Sequence, residues 1–413
     1  MKHQSLWVAM AAAMLLLPSC NKGAVAPQQE PENNEILPEV AVELPTKAAE
    51  FVQKSQGFTF DFIDRINASA QGNYIVSPLS LQFLLGMLLN GAQGETADEI
   101  CQVLGYGAGD VDQVNEYFRG MMEALPALDP ETTLSLANAM FVNQAYPVRE
   151  SYRSVLADYY DAESSSLDFL QPESLKAING WAYDHTNGLI PQVLDTLNPE
   201  ILAYLMNAVY FKSCWNRPFT KENTSEQAFT CEDGGIVRIK MMQQQGRFFY
   251  GEADSFRLVR LPYGNGTYEM LVLLPKEGFG LADVTAELKG AGLPRAMSDL
   301  LVNLWLPNFY TKFDIRLNDL LAQMGMPLAF DPAKADFRKM SDYAWYLSFV
   351  KQYAAITVDE EGSEAAAITI GGIDVAYSPD PTPLVFHADR PFLYLITETS
   401  TGAVLFAGRY SKP

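Results

Sequence analysis

Asp359-Glu360-Glu361-Gly362-Ser363-Glu364-Ala365-Ala366-Ala367-Ile368-Thr369-Ile370-Gly371-Gly372-Ile373-Asp374-Val375-Ala376 does not read as an ordinary helix or strand. It is long and rich in small residues, and Ser378-Pro379-Asp380-Pro381-Thr382-Pro383 follows it, a run that cannot continue a central strand. With a period of two, one face carries Ser363, Ala365, Ala367, Thr369, Gly371, Ile373 and Val375, and the other Glu364, Ala366, Ile368, Ile370, Gly372 and Asp374. Both charges of the alternating stretch fall on one face. The segment therefore fits a sheet with its first face buried, while its proline tail makes it a loop. Alanine and glycine content alone also fits a flexible surface loop, so the rest of the chain has to decide.

Upstream, Ser77-Pro78-Leu79-Ser80 followed by Leu81, Phe83, Leu84, Leu85, Met87, Leu88 and Leu89 spells a helix start, with Ser77 as N-cap and proline in the first turn. Gly91, Gly94 and Thr96 break and restart the chain. Ala203 to Lys212, Phe256 to Leu261, Tyr268 to Leu274, Leu301 to Leu306 and Phe392 to Ile396 alternate or run apolar in the manner of strands. Helical stretches come early and strand-rich ones later, which predicts an α+β fold with largely antiparallel sheets and no βαβ rhythm.

With 48% hydrophobic residues in 413, the chain can bury a large core. Lysine and arginine total 29 against 50 acidic residues, a formal charge of −21, and no basic face is present to displace counterions from a nucleic acid. Of three histidines, His3 lies in the leader, leaving His185 and His387 as candidate bases or ligands. There is no HExxH, no GxSxG and no CxxC pair, so neither a catalytic centre nor a metal site is expected. Gly105-Tyr106-Gly107-Ala108-Gly109 has neither phosphate-binding spacing nor a following lysine, and reads as a loop after a helix. No cofactor is implied.

Residues 1–19 have the layout of an export signal: Lys2, an apolar run from Leu6 to Leu17, then Ser19 before Cys20. The run is too short to span a membrane. Leu17-Pro18-Ser19-Cys20 resembles a bacterial lipobox, although proline is unusual there. The expectation is cleavage before Cys20, its acylation, and a membrane-anchored lipoprotein that is periplasmic or at the cell surface. Residues 20–48, with Pro27, Pro31, Pro38 and Pro45 among Gln, Glu and Asn, read as an extended tether before a domain over 49–413. Once Cys20 is lipidated, Cys101, Cys214 and Cys231 remain, an odd number that excludes an obligate disulfide framework and leaves a Cys214–Cys231 pair open.

From about residue 50 to Pro413 the sequence resembles the serpins, on many blocks in family order. These are Asn73-Tyr74-Ile75-Val76-Ser77-Pro78-Leu79-Ser80 with Asn90-Gly91-Ala92-Gln93-Gly94-Glu95-Thr96; Asn179-Gly180-Trp181 through Gly188; and Met206-Asn207-Ala208-Val209-Tyr210-Phe211-Lys212 with Trp215 and Phe219. Met241-Met242, Leu261-Pro262-Tyr263, Leu306-Pro307-Asn308-Phe309, Leu321 to Phe330 and Ala335-Asp336-Phe337 follow. Ala388-Asp389-Arg390-Pro391-Phe392 and Leu405-Phe406-Ala407-Gly408-Arg409 close the series.

The resemblance implies a metastable fold of three sheets and about nine helices that presents a reactive-centre loop, about 360–386, as bait for a serine protease. The protease attacks the loop and forms an acyl-enzyme; the loop then inserts as a new central strand of the main sheet and traps the protease in a covalent complex. The two-faced pattern suits insertion, since large or charged residues on a buried face lack partners. By resemblance Glu360, Gly362, Ser363, Ala365, Ala366 and Ala367 form the hinge. Counting from Glu360 then sets the reactive bond between Ala376 and Tyr377. Ser77, Ser80 and Asn207 match the region that opens to admit the loop, and Trp215 matches the first point of entry.

Three positions depart from the family pattern. Gln352 replaces a common histidine and cannot titrate, Ile368 interrupts the small hinge residues, and Leu189 replaces a common lysine. The small residue before the bond favours elastase-like or subtilisin-like targets, with Tyr377 leaving chymotrypsin-like enzymes as the alternative and papain-like cysteine proteases as a further class. The alternative is a non-inhibitory serpin that binds or chaperones. Val111 to Leu128 carries Arg119 as its only basic residue, so no heparin response is expected. A monomer is expected as well.

Overall fold

The computed structural model describes Val42 and residues 48–107, 109–294, 296–363 and 382–413. The residues read as a leader, most of those read as a tether, Cys20, Ala365, Ala366, Ala367, Ala376 and Tyr377 lie outside these residues. In chain order the regular elements are α1 (Ala48–Ser69), β1 (Tyr74–Val76), α2 (Pro78–Gly91), α3 (Gly94–Leu104), α4 (Val111–Ala124), β2 (Thr133–Asn143), α5 (Glu150–Tyr160), β3 (Ala162–Leu167), α6 (Pro172–His185) and β4 (Ala203–Cys214). Then come β5 (Ser225–Thr230), β6 (Ile236–Glu252), β7 (Phe256–Pro262), β8 (Tyr268–Pro275), α7 (Leu281–Ala291), β9 (Met297–Pro307), β10 (Phe309–Arg316) and α8 (Asn318–Met324). The chain closes with β11 (Lys351–Val358), β12 (Gly362–Ser363), β13 (Leu384–His387), β14 (Phe392–Glu398) and β15 (Val404–Tyr410).

The α+β layout read from the sequence is present, with eight α-helices among the described residues. The main sheet runs β10-β11-β12-β4-β2-β3. The other two sheets join through β6, whose Tyr250–Glu252 end pairs with β7 while Met241–Gly251 pairs with β9. The continuous order is β1-β15-β14-β8-β7-β6-β9-β13, with β5 on β6. Pairing is antiparallel except for β2 with β3 and β9 with β13.

Local chemistry sets the boundaries. The Ser77 side chain accepts the Ser80 N–H and Pro78 opens α2, so the predicted cap is in place. Twelve of the fourteen α2 residues are buried, which explains a helix apolar on every side. α3 stops at Gly105, whose φ of 80° is the left-handed conformation that glycine adopts without a Cβ penalty. β8, β14 and β15 are buried on both faces, hence their unbroken apolar runs. β11 alternates, with Gln352, Ala354, Ile356 and Val358 buried. A large core lies between the sheets and α2, and a smaller one, with Phe141, Ile178, Trp181, Tyr204 and Ala208, lies where α6 covers the other face of the main sheet.

Candidate functional site: a gap in the main sheet

β12 is antiparallel to β11 on one side and to β4 on the other, so β4 and β11 are parallel strands joined at one end by two residues. Among the described residues no ladder pairs β4 with β11 directly. Their facing edges therefore carry backbone groups that a strand laid between them would satisfy.

The upper end of this gap is already filled. Ser363 opposes Ser213 of β4 and Val358 of β11, is 1% exposed, and shares a 2.6 Å hydrogen bond with the Tyr263 hydroxyl. Tyr263 stacks on Trp215 at 4.4 Å with an interplanar angle of 11°, and burial raises its phenol pKa. Trp215 donates from its indole to the Asp359 carbonyl at 2.8 Å and from its backbone to Glu361 at 2.8 Å. The Asp359 carboxylate closes the turn by accepting the N–H groups of Glu361 and Gly362. Gly362 passes so close to β4 that a Cβ there would meet the Ser213 carbonyl oxygen at 2.1 Å, so glycine is required by contact.

The buried Glu360 carboxylate accepts from the Thr224 hydroxyl at 2.6 Å and from the Asn308 amide at 3.1 Å. Glu361 pairs with Lys221 at 2.6 Å and raises its pKa through that hydrogen bond. Glu360, Gly362 and Ser363, read from the sequence as hinge residues, are thus brought together with Trp215.

The lower end has a different character. Gln352 accepts the Ser77 N–H at 2.9 Å and donates to the Ser77 carbonyl at 2.8 Å, and the Ser77 hydroxyl donates to Leu405 at 2.6 Å. An amide can do both at once. Asn207 donates to Asn138 at 2.7 Å, which donates onward to the Tyr160 carbonyl, but the buried Asn207 Oδ1 has no partner. A cavity of about 300 Å³ opens here, lined by Ser77, Ser80, Asn207 and Gln352 together with Leu81 of α2 and Trp181 of α6. Its walls come from both sides of the main sheet. Ser77, Ser80 and Asn207, matched to the opening region, therefore border one space together with Gln352, at the end of the gap away from Ser363.

In the sequence Tyr263 and Asn308 stand out only as parts of longer family blocks, and nothing there marks Thr224 or Lys221. Their contacts with the hinge cross 52 to 140 positions, and no local spacing announces them. Cys101, Cys214 and Cys231 are thiols rather than a disulfide among the described residues.

The main sheet thus holds two neighbouring parallel strands, β4 and β11, that are bridged at one end by Gly362 and Ser363 alone among the described residues. A family model described as Serpin (serine protease inhibitor) matches residues 53–413. The chain is 32% identical over 372 residues to an uncharacterized serpin-like protein of Thermococcus kodakarensis, covering 88% of this chain and 85% of that one. It is 31% identical to the leukocyte elastase inhibitor of Xenopus laevis, over 86% of this chain and 97% of that one. The solved native state of the thermophilic serpin tengpin superposes with a TM-score of 0.80 at 29% identity, over 88% of this chain and 94% of that chain. The chain belongs to the serpin family, whose members are generally protease inhibitors rather than catalysts.

Proposed function

We propose that this serpin is a suicide inhibitor of serine proteases that traps an acyl-enzyme by inserting its cleaved loop between β4 and β11. The observation that carries the reading is the gap itself, seeded at one end by Gly362 and Ser363. The pairs Ser363–Ser213 and Ser363–Val358 fix a register. Continued antiparallel, it sets Ala365 against Phe211 and Ile356, Ala367 against Val209 and Ala354, and Thr369 against Asn207 and Gln352. Ile356, Ala354 and Gln352 are the buried positions of β11, so the small-residue face of the loop meets the core. Thr369 brings a hydroxyl donor level with the partnerless Asn207 Oδ1. Each ladder bond gained contributes about 1 kcal/mol net, and buried alanine and isoleucine side chains add to it.

The bait bond is Ala376–Tyr377, and a shallow specificity pocket of the elastase or subtilisin kind suits Ala376. Papain-like cysteine proteases form acyl-enzymes too and fall within the same scheme. Heparin does not accelerate the reaction, because the α4 region carries Arg119 alone among acids. Cys20 holds the protein to a membrane through lipid. Mixing the full chain with pancreatic elastase or subtilisin is expected to give an SDS-stable complex and a released fragment starting at Tyr377. Complete cleavage with fully active protease and no covalent band contradicts the proposal.

A further inference from the structure

We propose that Asp129 is a positioning residue for loop entry: its buried carboxylate holds in place the two groups, Ser213 and Tyr263, that receive Ser363. The inference rests on the inhibitor reading and adds what fixes the seat of the hinge. Asp129 lies in the connection between α4 and β2 and is 1% exposed, so its carboxylate has to find its partners within the fold. It closes its own turn by accepting the Glu131 N–H at 3.0 Å through one oxygen. The other oxygen reaches towards the gap by two routes.

The first route is a relay of hydroxyls. Thr132 donates to this oxygen at 2.6 Å, and the Ser213 hydroxyl lies 2.7 Å from that of Thr132. A hydroxyl has one proton to give, so Thr132, having donated to Asp129, accepts from Ser213. A longer contact of 3.5 Å to the Cys214 carbonyl competes only weakly for the Ser213 proton. The order Ser213 to Thr132 to Asp129 is thereby directed, and each bond polarises the next. Ser213 is the residue of β4 that opposes Ser363, and all three members of the relay are buried.

The second route runs through backbone. The Asn265 N–H donates to the same Asp129 oxygen at 3.4 Å, and the Asn265 side-chain amide donates to the Leu128 carbonyl at 3.0 Å. Gly264 lies so close that a Cβ there would collide with the Asp129 carboxylate, and its N–H donates to the Cys214 carbonyl of β4 at 2.9 Å. Tyr263, which precedes it, carries the hydroxyl that shares a hydrogen bond with Ser363. One carboxylate thus reaches both partners of Ser363: Ser213 through Thr132, and Tyr263 through the turn that follows it. Neither can shift without breaking a bond to a buried group, so the seat keeps its geometry while the loop enters.

The test compares Asp129→Ala and Thr132→Val, which deletes the relay hydroxyl at nearly constant shape, with Thr132→Ser, which restores it. Thr285→Val is the reference: Thr285 is also 1% exposed and donates to the Asp64 carboxylate at 2.8 Å, between α7 and α1, so its loss is of the same kind but outside the gap. Each full chain is titrated against pancreatic elastase, and the inhibitor consumed per protease trapped is read on gels. Asp129→Ala and Thr132→Val are expected to raise that number about tenfold, the scale of one buried hydroxyl bond to a carboxylate, with the bait bond cut at the parent rate. Thr132→Ser and Thr285→Val should match the parent. Amide exchange of Gly362 and Ser363 in the uncut chains is expected to quicken by a similar factor in Asp129→Ala and Thr132→Val alone. Parent-like trapping by Thr132→Val, or an equal rise in Thr285→Val, overturns the positioning role and leaves the inhibitor reading intact. If the parent itself forms no complex, the inhibitor reading falls and exchange decides: quickened exchange upholds the grip of Asp129 on the seat, and parent-like exchange overturns it. Thermal melting identifies any variant that fails to fold, and Thr132→Val carries the test should Asp129→Ala do so.

Discussion

The two ends of the gap between β4 and β11 differ in how they are held. At the upper end, backbone pairing, a stacked Trp215–Tyr263 pair, a Tyr263–Ser363 hydrogen bond and a satisfied Glu360 carboxylate fasten the first two inserted residues. At the lower end, one side-chain amide clasps Ser77 from β11, a cavity replaces packed atoms, and Asn207 Oδ1 is left without a donor. The upper end holds a two-residue strand in fixed register; the lower end is underpacked, and on the proposed insertion it gains partners when strand arrives. On the proposed insertion, a fold that is well packed at the entry and underpacked farther along has its driving force downstream of its trigger.

The sharpest way to break this contrast is Ser363→Arg. Ser363 is buried against Tyr263, so arginine there requires an unpaired charge in the core, costing several kcal/mol even after relaxation. The hinge then cannot seat, although the distant bait bond is untouched. The expected outcome on gels and in residual-activity assays is cleavage with release of active protease and almost no covalent complex. Efficient trapping by this variant removes the seated-start account.

Tyr263→Phe is milder and acts on the same end. It removes one hydrogen bond and leaves a buried Ser363 hydroxyl unsatisfied, a loss of about 1–3 kcal/mol. More inhibitor should be consumed as substrate per protease trapped, with a melting temperature a few degrees lower. An unchanged partition ratio shows that the latch contributes nothing to entry.

At the lower end Gln352→Ala deletes both bonds to the Ser77 backbone, worth roughly 2 kcal/mol together. Here the melting temperature of the uncleaved chain should fall while the bait bond is still cut at its normal rate. The opposite pattern, slow cleavage at unchanged stability, reverses the roles assigned to the two ends.

The smallest expected effect lies outside the gap and serves as its reference. Burial lowers the pKa of His387, with Asp389 opposing and Arg390 reinforcing the shift. The folded state therefore binds this proton less readily than the unfolded chain. The associated stability is present above the unfolded value, near 6.5, and is lost as pH falls towards the folded pKa. Melting of the parent chain should decline slightly more between pH 7.5 and 5.5 than that of His387→Gln; parallel curves reject the assignment.

How much of this was legible in the sequence depends on distance along the chain. Strands such as Tyr268–Pro275 and the Ser77 cap announce themselves through local pattern, and the alternating small face of the bait segment marks its fitness for a sheet. β12 is two residues long and has no period to detect, so its seating between β4 and β11 could not be read. Neither could the clasp between Gln352 and Ser77, 275 positions apart, nor the bond between Tyr263 and Ser363 across 100. The substitution of glutamine for the usual histidine was visible, but that it holds the Ser77 backbone at both its N–H and its carbonyl emerges only from the fold.

The central claim is that the cleaved loop becomes a strand between β4 and β11. Amide hydrogen exchange over Ala203–Cys214 and Lys351–Val358, compared before and after the bait bond is cut by a stoichiometric amount of elastase, reads it directly. The account predicts strong new protection along the facing edges of both strands, extending to the level of Asn207 and Gln352. Exchange that stays the same in the cut chain, with protection confined to the residues already paired with Gly362 and Ser363, contradicts it.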